Sequence, residues 1–161
     1  MMKNRMYTIL ENYILQNKES HYRLAYSYVK NKDDALDIVQ ESILKALNSI
    51  DSLTNAEHIK TWFYRILVNT SLDVLRKKGK LNYVEDIVLD LNSEAKDDIY
   101  ENLDLQNAMD NLPHNYRLII SLRYFEDLKL EEIAAILGEN LNTVKTRLYA
   151  GLKRLLIEME V

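Results

Sequence analysis

The stretch from Leu128 to Leu155, LKLEEIAAILGENLNTVKTRLYAGLKRL, decides how the rest of the chain is read. Leu130, Ile133, Ala134 and Leu137 recur at helical spacing, and Gly138 follows in the C′ position that suits a left-handed backbone. A second helix is expected to begin near Asn142 or Thr143, whose short oxygen-bearing side chains can cap orphan N–H groups. On it Val144, Leu148, Leu152 and Leu155 form an apolar stripe, while Lys145, Thr146, Tyr149 and Lys153 lie mainly on the other side. Two short helices about a Gly-containing turn, the second with an apolar back and a polar, partly basic front, predict helix-turn-helix geometry. In that geometry the second helix enters the major groove, and its early residues meet base edges and phosphates. The competing account is an αα-hairpin inside an ordinary helical bundle, and the pattern alone leaves both open.

The 161 residues allow one domain or two small ones. Apolar residues make up 47%, enough for a core, but no apolar run reaches the length of a membrane span and no signal peptide is expected. With no cysteine there is no disulfide or thiolate chemistry, and a soluble cytoplasmic protein is expected. Three Gly, one Pro and few Val or Thr favour an all-α fold. The net charge of −4 argues against a DNA partner only until it is divided. Residues 1–80 hold 13 Lys and Arg against 9 Asp and Glu, residues 81–110 hold 1 against 9, and residues 111–161 hold 7 of each. The acidity is central and the first domain is basic, so local charge is the better guide to partners.

Residues 7–30 carry apolar residues at helical spacing, interrupted near Asn17–Ser20, which predicts two short amphipathic helices with Tyr22, Tyr26 and Tyr28 in the core. A helix beginning by Ala35 and ending near Ser49 should face Ala35, Ile38, Val39, Ile43, Ala46, Leu47 and Ile50 inward. Asp34, Asp37 and Glu41, flanked by Gln40, then share the opposite face. No His is near enough in sequence to complete a metal set, and the acids meet either solvent or a basic partner. Glu57 to Lys78 is the longest helical pattern, with Ile59, Phe63, Ile66, Leu67, Thr70 and Val74 as its buried stripe. Asn69, Asp73 and Arg76/Lys77 follow at i, i+4 and i+7/8, which fits a local ion-pair ladder. Aromatics interleaved with cations and an amide fit a surface that stacks on exposed bases equally well. Residues 81–103 read as an acidic linker that forms a transient helix around Val84–Leu91. From Leu103 the helical pattern resumes, Pro113 opens a further helix, and with the hairpin this makes a four-helix C-terminal domain.

In this order and spacing the stretches resemble an extracytoplasmic-function (ECF) sigma factor of bacterial RNA polymerase, of the sigma-70 family. DDALDIVQESILKAL looks like the region 2.2 helix, IKTWFYRILVNTSLDVLRKK like regions 2.3–2.4, and LPHNYRLIISLRYFEDLKLEEIAAILGENLNTVKTRLYAGLKRL like region 4. The wording VKNKDDALDIVQESI and NTVKTRLY is most similar to the sigma-V branch. The resemblance implies a region 2 domain over residues 1–80 and a region 4 domain over residues 104–161. It implies that Asp37, Gln40 and Glu41 meet the β′ clamp helices of core polymerase, with region 4 on the β flap. Asn69 would hold a base flipped from the minus-ten strand, with Tyr64 and Arg65 beside it and Lys60, Trp62, Arg76 and Lys77 on strand and phosphates. Trp62 also has a wholly structural reading. Asn142, Thr143, Lys145, Thr146, Arg147 and Tyr149 would read minus-thirty-five DNA.

This sequence departs from its relatives at Ala150 and Leu152, where they often carry basic residues. Gly151 within a helix costs about 1 kcal/mol relative to Ala. An anti-sigma factor, often membrane-anchored in the family, is an implied partner along with promoter DNA, whereas membrane insertion, a cofactor, a metal and an enzymatic activity are not expected. His21, His58 and His114 are scattered, with no nucleophile–base pair apparent. Two other readings compete: a free-standing helix-turn-helix regulator with an N-terminal sensing bundle, which predicts a dimer on a palindrome, and a helical adaptor using the Asp37/Glu41 face.

Overall fold

The computed structural model describes residues 2–79 and 105–159, which fall into two compact units. The expected acidic linker and its transient helix at Val84–Leu91 lie outside the described residues. Among those described there is no strand, and the fold is all-α as expected.

The first unit is built from α1 (Met2–Val29), α2 (Lys32–Asn48) and α3 (Ile59–Lys77), each packed on the other two. Two 3-10 turns, Ile50–Ser52 and Ala56–His58, join α2 to α3. The expected break in α1 is absent. Asn17–Ser20 contains neither Gly nor Pro, and the Asn17 amide donates to the Tyr13 carbonyl (2.8 Å), so the polar turn stays helical. The three tyrosines do not all enter the core: Tyr28 is buried, Tyr22 half-buried, and Tyr26 exposed.

Helix α2 starts at Lys32 because the Asn31 side chain accepts the Asp34 N–H (2.9 Å) and caps it. Ala35, Ile38 and Ala46 are buried as expected, but Leu47 is exposed. Ser42 takes an inward place instead, its hydroxyl satisfied by the Ile38 carbonyl (2.7 Å). On α3 the buried set is Phe63, Tyr64, Leu67, Val68, Thr70, Ser71 and Leu75. The expected stripe is therefore rotated: Ile59, Ile66 and Val74 are only half-buried. The cause is that α3 packs on two helices, which widens its inward face toward Tyr64, Val68 and Leu75.

At the centre of this core His21 is fully buried. Its ring stacks on Phe63 (centroids 4.5 Å apart), meets Tyr64 edge-on (5.3 Å), and places Nε2 3.0 Å from the Tyr13 hydroxyl. Burial pushes its pKa down to about 4.

The second unit contains α4 (Leu105–Asp110), α5 (His114–Ile120) with a π-helical turn over Ser121–Phe125, α6 (Leu130–Leu137) and α7 (Leu141–Met159). Pro113 sits at the N-cap of α5, just before the first helical residue. Gly138 closes α6 with φ 67° and ψ 31°, the left-handed turn the sequence predicted. The cap of α7 is Asn140, not Asn142 or Thr143: its Oδ1 accepts the Thr143 N–H at 2.7 Å.

Helices α4 and α5 both pack on α7. Its buried residues are Val144, Leu148, Gly151 and Leu155, so Gly151 holds the place expected for Leu152, which is half-buried. A Cβ on Gly151 would lie 3.1 Å from the Tyr116 Cβ and 3.2 Å from the Ile120 Cδ1 of α5. The glycine is a packing notch that lets α5 and α7 approach closely. Among the described residues no helix is long and apolar enough to cross a membrane.

Two outcomes are expected. Gly151→Ala should forgo the gain of about 1 kcal/mol that helix propensity alone predicts, and Gly151→Leu should lower stability by about 1–3 kcal/mol through overpacking; urea unfolding midpoints check both. The second concerns pH. His114 is also pushed down, to about 3, by burial and then by the Arg117 charge. Both folded pKa values lie below the ordinary 6.5, so the fold favours neutral rings. Their contribution is present in full above pH 6.5 and is lost as pH falls through 4 and then 3, up to about 3 kcal/mol for His21. Melting curves from pH 7 to 4 should show this loss, and His21→Leu should be weaker at pH 7 yet flatter across that window.

Candidate nucleic-acid interface

Three helix faces carry the polar residues singled out by the sequence. On α2, Asp37, Gln40 and Glu41 are exposed. Beside them lie Leu36, Leu44 (61% exposed) and Leu47, which with Gln40 follow the spacing i, i+4, i+8, i+11. With Leu47 expected in the core, this apolar stripe is not among the sequence expectations. The signal was present: Leu36 and Leu44 fall outside the inward set at helical period.

On α3, Trp62, Arg65, Asn69, Asp73 and Arg76 recur at intervals of three or four and share the face turned away from Phe63 and Leu67. Arg65, Asn69 and Arg76 are exposed, and Lys77 lies at the edge of the same face. Trp62 is half-buried, its indole N–H donating to the Ser52 hydroxyl at 2.9 Å, which orients the ring without removing it from the surface. Two expected members are not brought there. Tyr64 is 2% exposed and packs on His21, so it cannot offer a ring to solvent in this conformation. Lys60 follows the register of Tyr64 and Leu67, on the side of α3 opposite Asn69.

The charges of this face are connected. Asp73 lies 3.3 Å from Arg76 and 4.0 Å from Lys45, and Lys45 also lies 4.0 Å from Glu41. The Lys45 ammonium donates to the hydroxyl of the fully buried Thr70 at 3.1 Å. The i, i+3 pair of the expected ladder is thus present, and Lys45 extends it from α3 to the acidic face of α2. Lys78 pairs with Asp34, tying the end of α3 to the start of α2.

On α7, Asn142, Thr146, Tyr149 and Lys153 form an exposed row at i, i+4, i+7, i+11. Tyr149 is 64% exposed, far more than a core ring would be. Thr143, Lys145 and Arg147 flank this row and are partly covered. Asn140, Asn142, Thr143, Thr146 and Arg147 line a shallow concavity of about 310 Å³. Lys153 was read on the polar side in the sequence, yet only the helical register puts it in line with Tyr149.

An exposed recognition-type helix behind a glycine turn, together with a separate three-helix unit exposing amide, aromatic and cationic groups, is the arrangement that a two-part DNA-binding protein needs. Residues 13–81 match the family described as Sigma-70 region 2, and residues 102–155 match Sigma-70, region 4. The chain is 54% identical over 160 residues to RNA polymerase sigma factor SigV of Bacillus subtilis, covering 98% of this chain and 96% of that one. It is 34% identical over 149 residues to ECF RNA polymerase sigma factor SigW of the same organism, covering 83% and 80%. The chain therefore belongs to the ECF sigma factors of the sigma-70 family.

Two solved structures share the fold. One is the sigma factor RpoE in complex with the anti-sigma factor NepR from Bartonella quintana, with TM-score 0.73 and 24% identity over 94% of this chain and 96% of that one. The other is CnrH in complex with the cytosolic domain of CnrY, with TM-score 0.65 and 18% identity over 94% and 87%. These relationships favour a sigma factor over a free-standing regulator.

Removing one phosphate contact reduces the salt slope of duplex binding by about 0.9. Lys153→Ala should produce that reduction when polymerase carrying this chain is titrated on duplex DNA at several salt concentrations. An unchanged slope would remove Lys153 from the interface.

Proposed function

We propose that the chain joins core RNA polymerase and directs initiation at a specific promoter class, with no catalytic chemistry, cofactor or metal of its own. The observation that carries this reading is the pair of family matches, in order along one chain, each falling on a unit whose exposed helix face has the chemistry its role needs. Residues 1–80 form the polymerase-binding and minus-ten domain, residues 81–103 the linker, and residues 104–161 the minus-thirty-five domain. Asp37, Gln40 and Glu41 meet the β′ clamp helices, and Leu36, Leu44 and Leu47 supply the apolar area that an acidic rim alone lacks.

Asn69 receives a base leaving the stack, because an amide pairs with a base edge only once that edge is free. Arg65 and Trp62 flank it, while Arg76 and Lys77 hold phosphates. Tyr64 supports this helix from within the core, and Lys60 lies outside the strand path. Asn142, Thr143, Lys145, Thr146, Arg147 and Tyr149 read the minus-thirty-five duplex from the major groove, with Lys153 on its backbone. The protein works in the cytoplasm, in answer to an extracytoplasmic stress signal. An anti-sigma factor holds it inactive, a reading supported by the fold it shares with a sigma factor solved in complex with the anti-sigma factor NepR.

In-vitro transcription with purified core polymerase on a promoter library tests the whole reading; no initiation from any start site would reject it. In the same assay Asn69→Ala should impair promoter opening by about 10-fold or more while leaving core binding intact. Leu44→Glu should do the reverse, weakening capture of core polymerase with the helical content unchanged. Lost core binding in Asn69→Ala would instead give that residue a structural role.

A further inference from the structure

Arg147 on α7 has its charge held by a carboxylate from the turn before the helix. Its register places it on the flank of the helix, off the row formed by Asn142, Thr146, Tyr149 and Lys153. The Arg147 Nη1 lies 3.3 Å from Glu139 Oε1, and the two side chains are only 35% and 37% exposed. Helical side chains lean toward the N-terminus, so the pair carries the guanidinium back over the first turns of α7. That is the end at which Asn140, Asn142, Thr143 and Thr146 line the concavity.

Glu139 is itself well anchored. Its N–H donates to the Ala134 carbonyl (3.1 Å), completing the close of α6, and the next residue, Asn140, caps α7. The carboxylate therefore projects from the most constrained part of the turn. A guanidinium has five N–H donors in a rigid fork, and one nitrogen engaged by Glu139 leaves donors for a base edge. The same carboxylate repels a phosphate that approaches the fork.

We infer that Glu139 is a positioning residue for Arg147, directing its guanidinium toward base edges and away from the DNA backbone. The inference rests on the reading of α7 as the minus-thirty-five helix and adds a determinant of specificity to it. Glu139 is an acidic residue in the turn that leads into a helix that should attract DNA. Its function is to raise discrimination at the expense of raw affinity, since non-specific binding is carried by phosphate contacts.

The test uses polymerase reconstituted from bacterial core enzyme and the full chain. It is challenged with a random-sequence duplex pool, and both the total DNA retained and the base preference of the retained fraction are read. Glu139→Gln should retain roughly two- to fivefold more of the unselected pool at low salt, the range of a partly exposed ion pair, with a salt slope steeper by about 0.9. Its base preference should flatten at the positions that Arg147→Ala also flattens. The double variant should show the same preference as Arg147→Ala alone, and the melting temperature of Glu139→Gln should match the parent. A preference in Glu139→Gln identical to the parent would overturn the inference, as would an effect of Glu139→Gln on preference that persists without Arg147. If the parent polymerase selects no sequence at all, the promoter reading itself fails and this inference falls with it.

Discussion

A helix packed on two neighbours can turn outward only what those neighbours leave uncovered, and this one-sided burial of α3 governs the first unit. Phe63, Leu67 and Val68 are seated against α1 and α2, and their seating sets the rotation of the whole helix. Because side chains on a helix keep a fixed angular spacing, that rotation presents Arg65, Asn69 and Arg76 together and withdraws Tyr64. His21 belongs to the same constraint. It is a neutral ring stacked on Phe63, with Nε2 against the Tyr13 hydroxyl. The residues that position the outward amide are thus apolar and aromatic groups on its far side.

The second unit meets the same geometric demand differently. Its long helix, α7, is held by a close approach to α5 at which a side chain on Gly151 would crowd Tyr116 and Ile120. A glycine in a helix interior is unfavourable for the helix alone, at about 1 kcal/mol, so its placement here is explained by the tertiary contact. With Val144, Leu148 and Leu155 buried on either side of that notch, Asn142, Thr146, Tyr149 and Lys153 have no choice but the solvent side.

The candidate interface is not a bare positive surface. Arg76 shares Asp73 with Lys45, Lys45 reaches Glu41, and Arg147 is held by Glu139. Partly exposed pairs of this kind contribute little to folding, about 0–1 kcal/mol each. Their effect is to fix where long flexible cations point and to lower attraction to any polyanion. In a chain of net charge −4 that binds DNA as part of a larger enzyme, such restraint is consistent with binding that needs partner and sequence together.

Much of the architecture was legible from periodicity, because 3.6-residue spacing and turn chemistry are local properties. The all-α class, the four helices of the second unit, the left-handed Gly138 and the outward Asp37, Gln40 and Glu41 all follow from nearest neighbours in sequence. What was not legible has a common origin. Whether Leu47 or Ser42 faces the core, whether Tyr64 is surface or interior, and whether Gly151 is a weakness or a notch each depend on a second element arriving from elsewhere. The sequence by itself determined which residues could share a helix face. Only the tertiary structure decided which of those faces is inside, because burial is a relation between helices that no single helix contains.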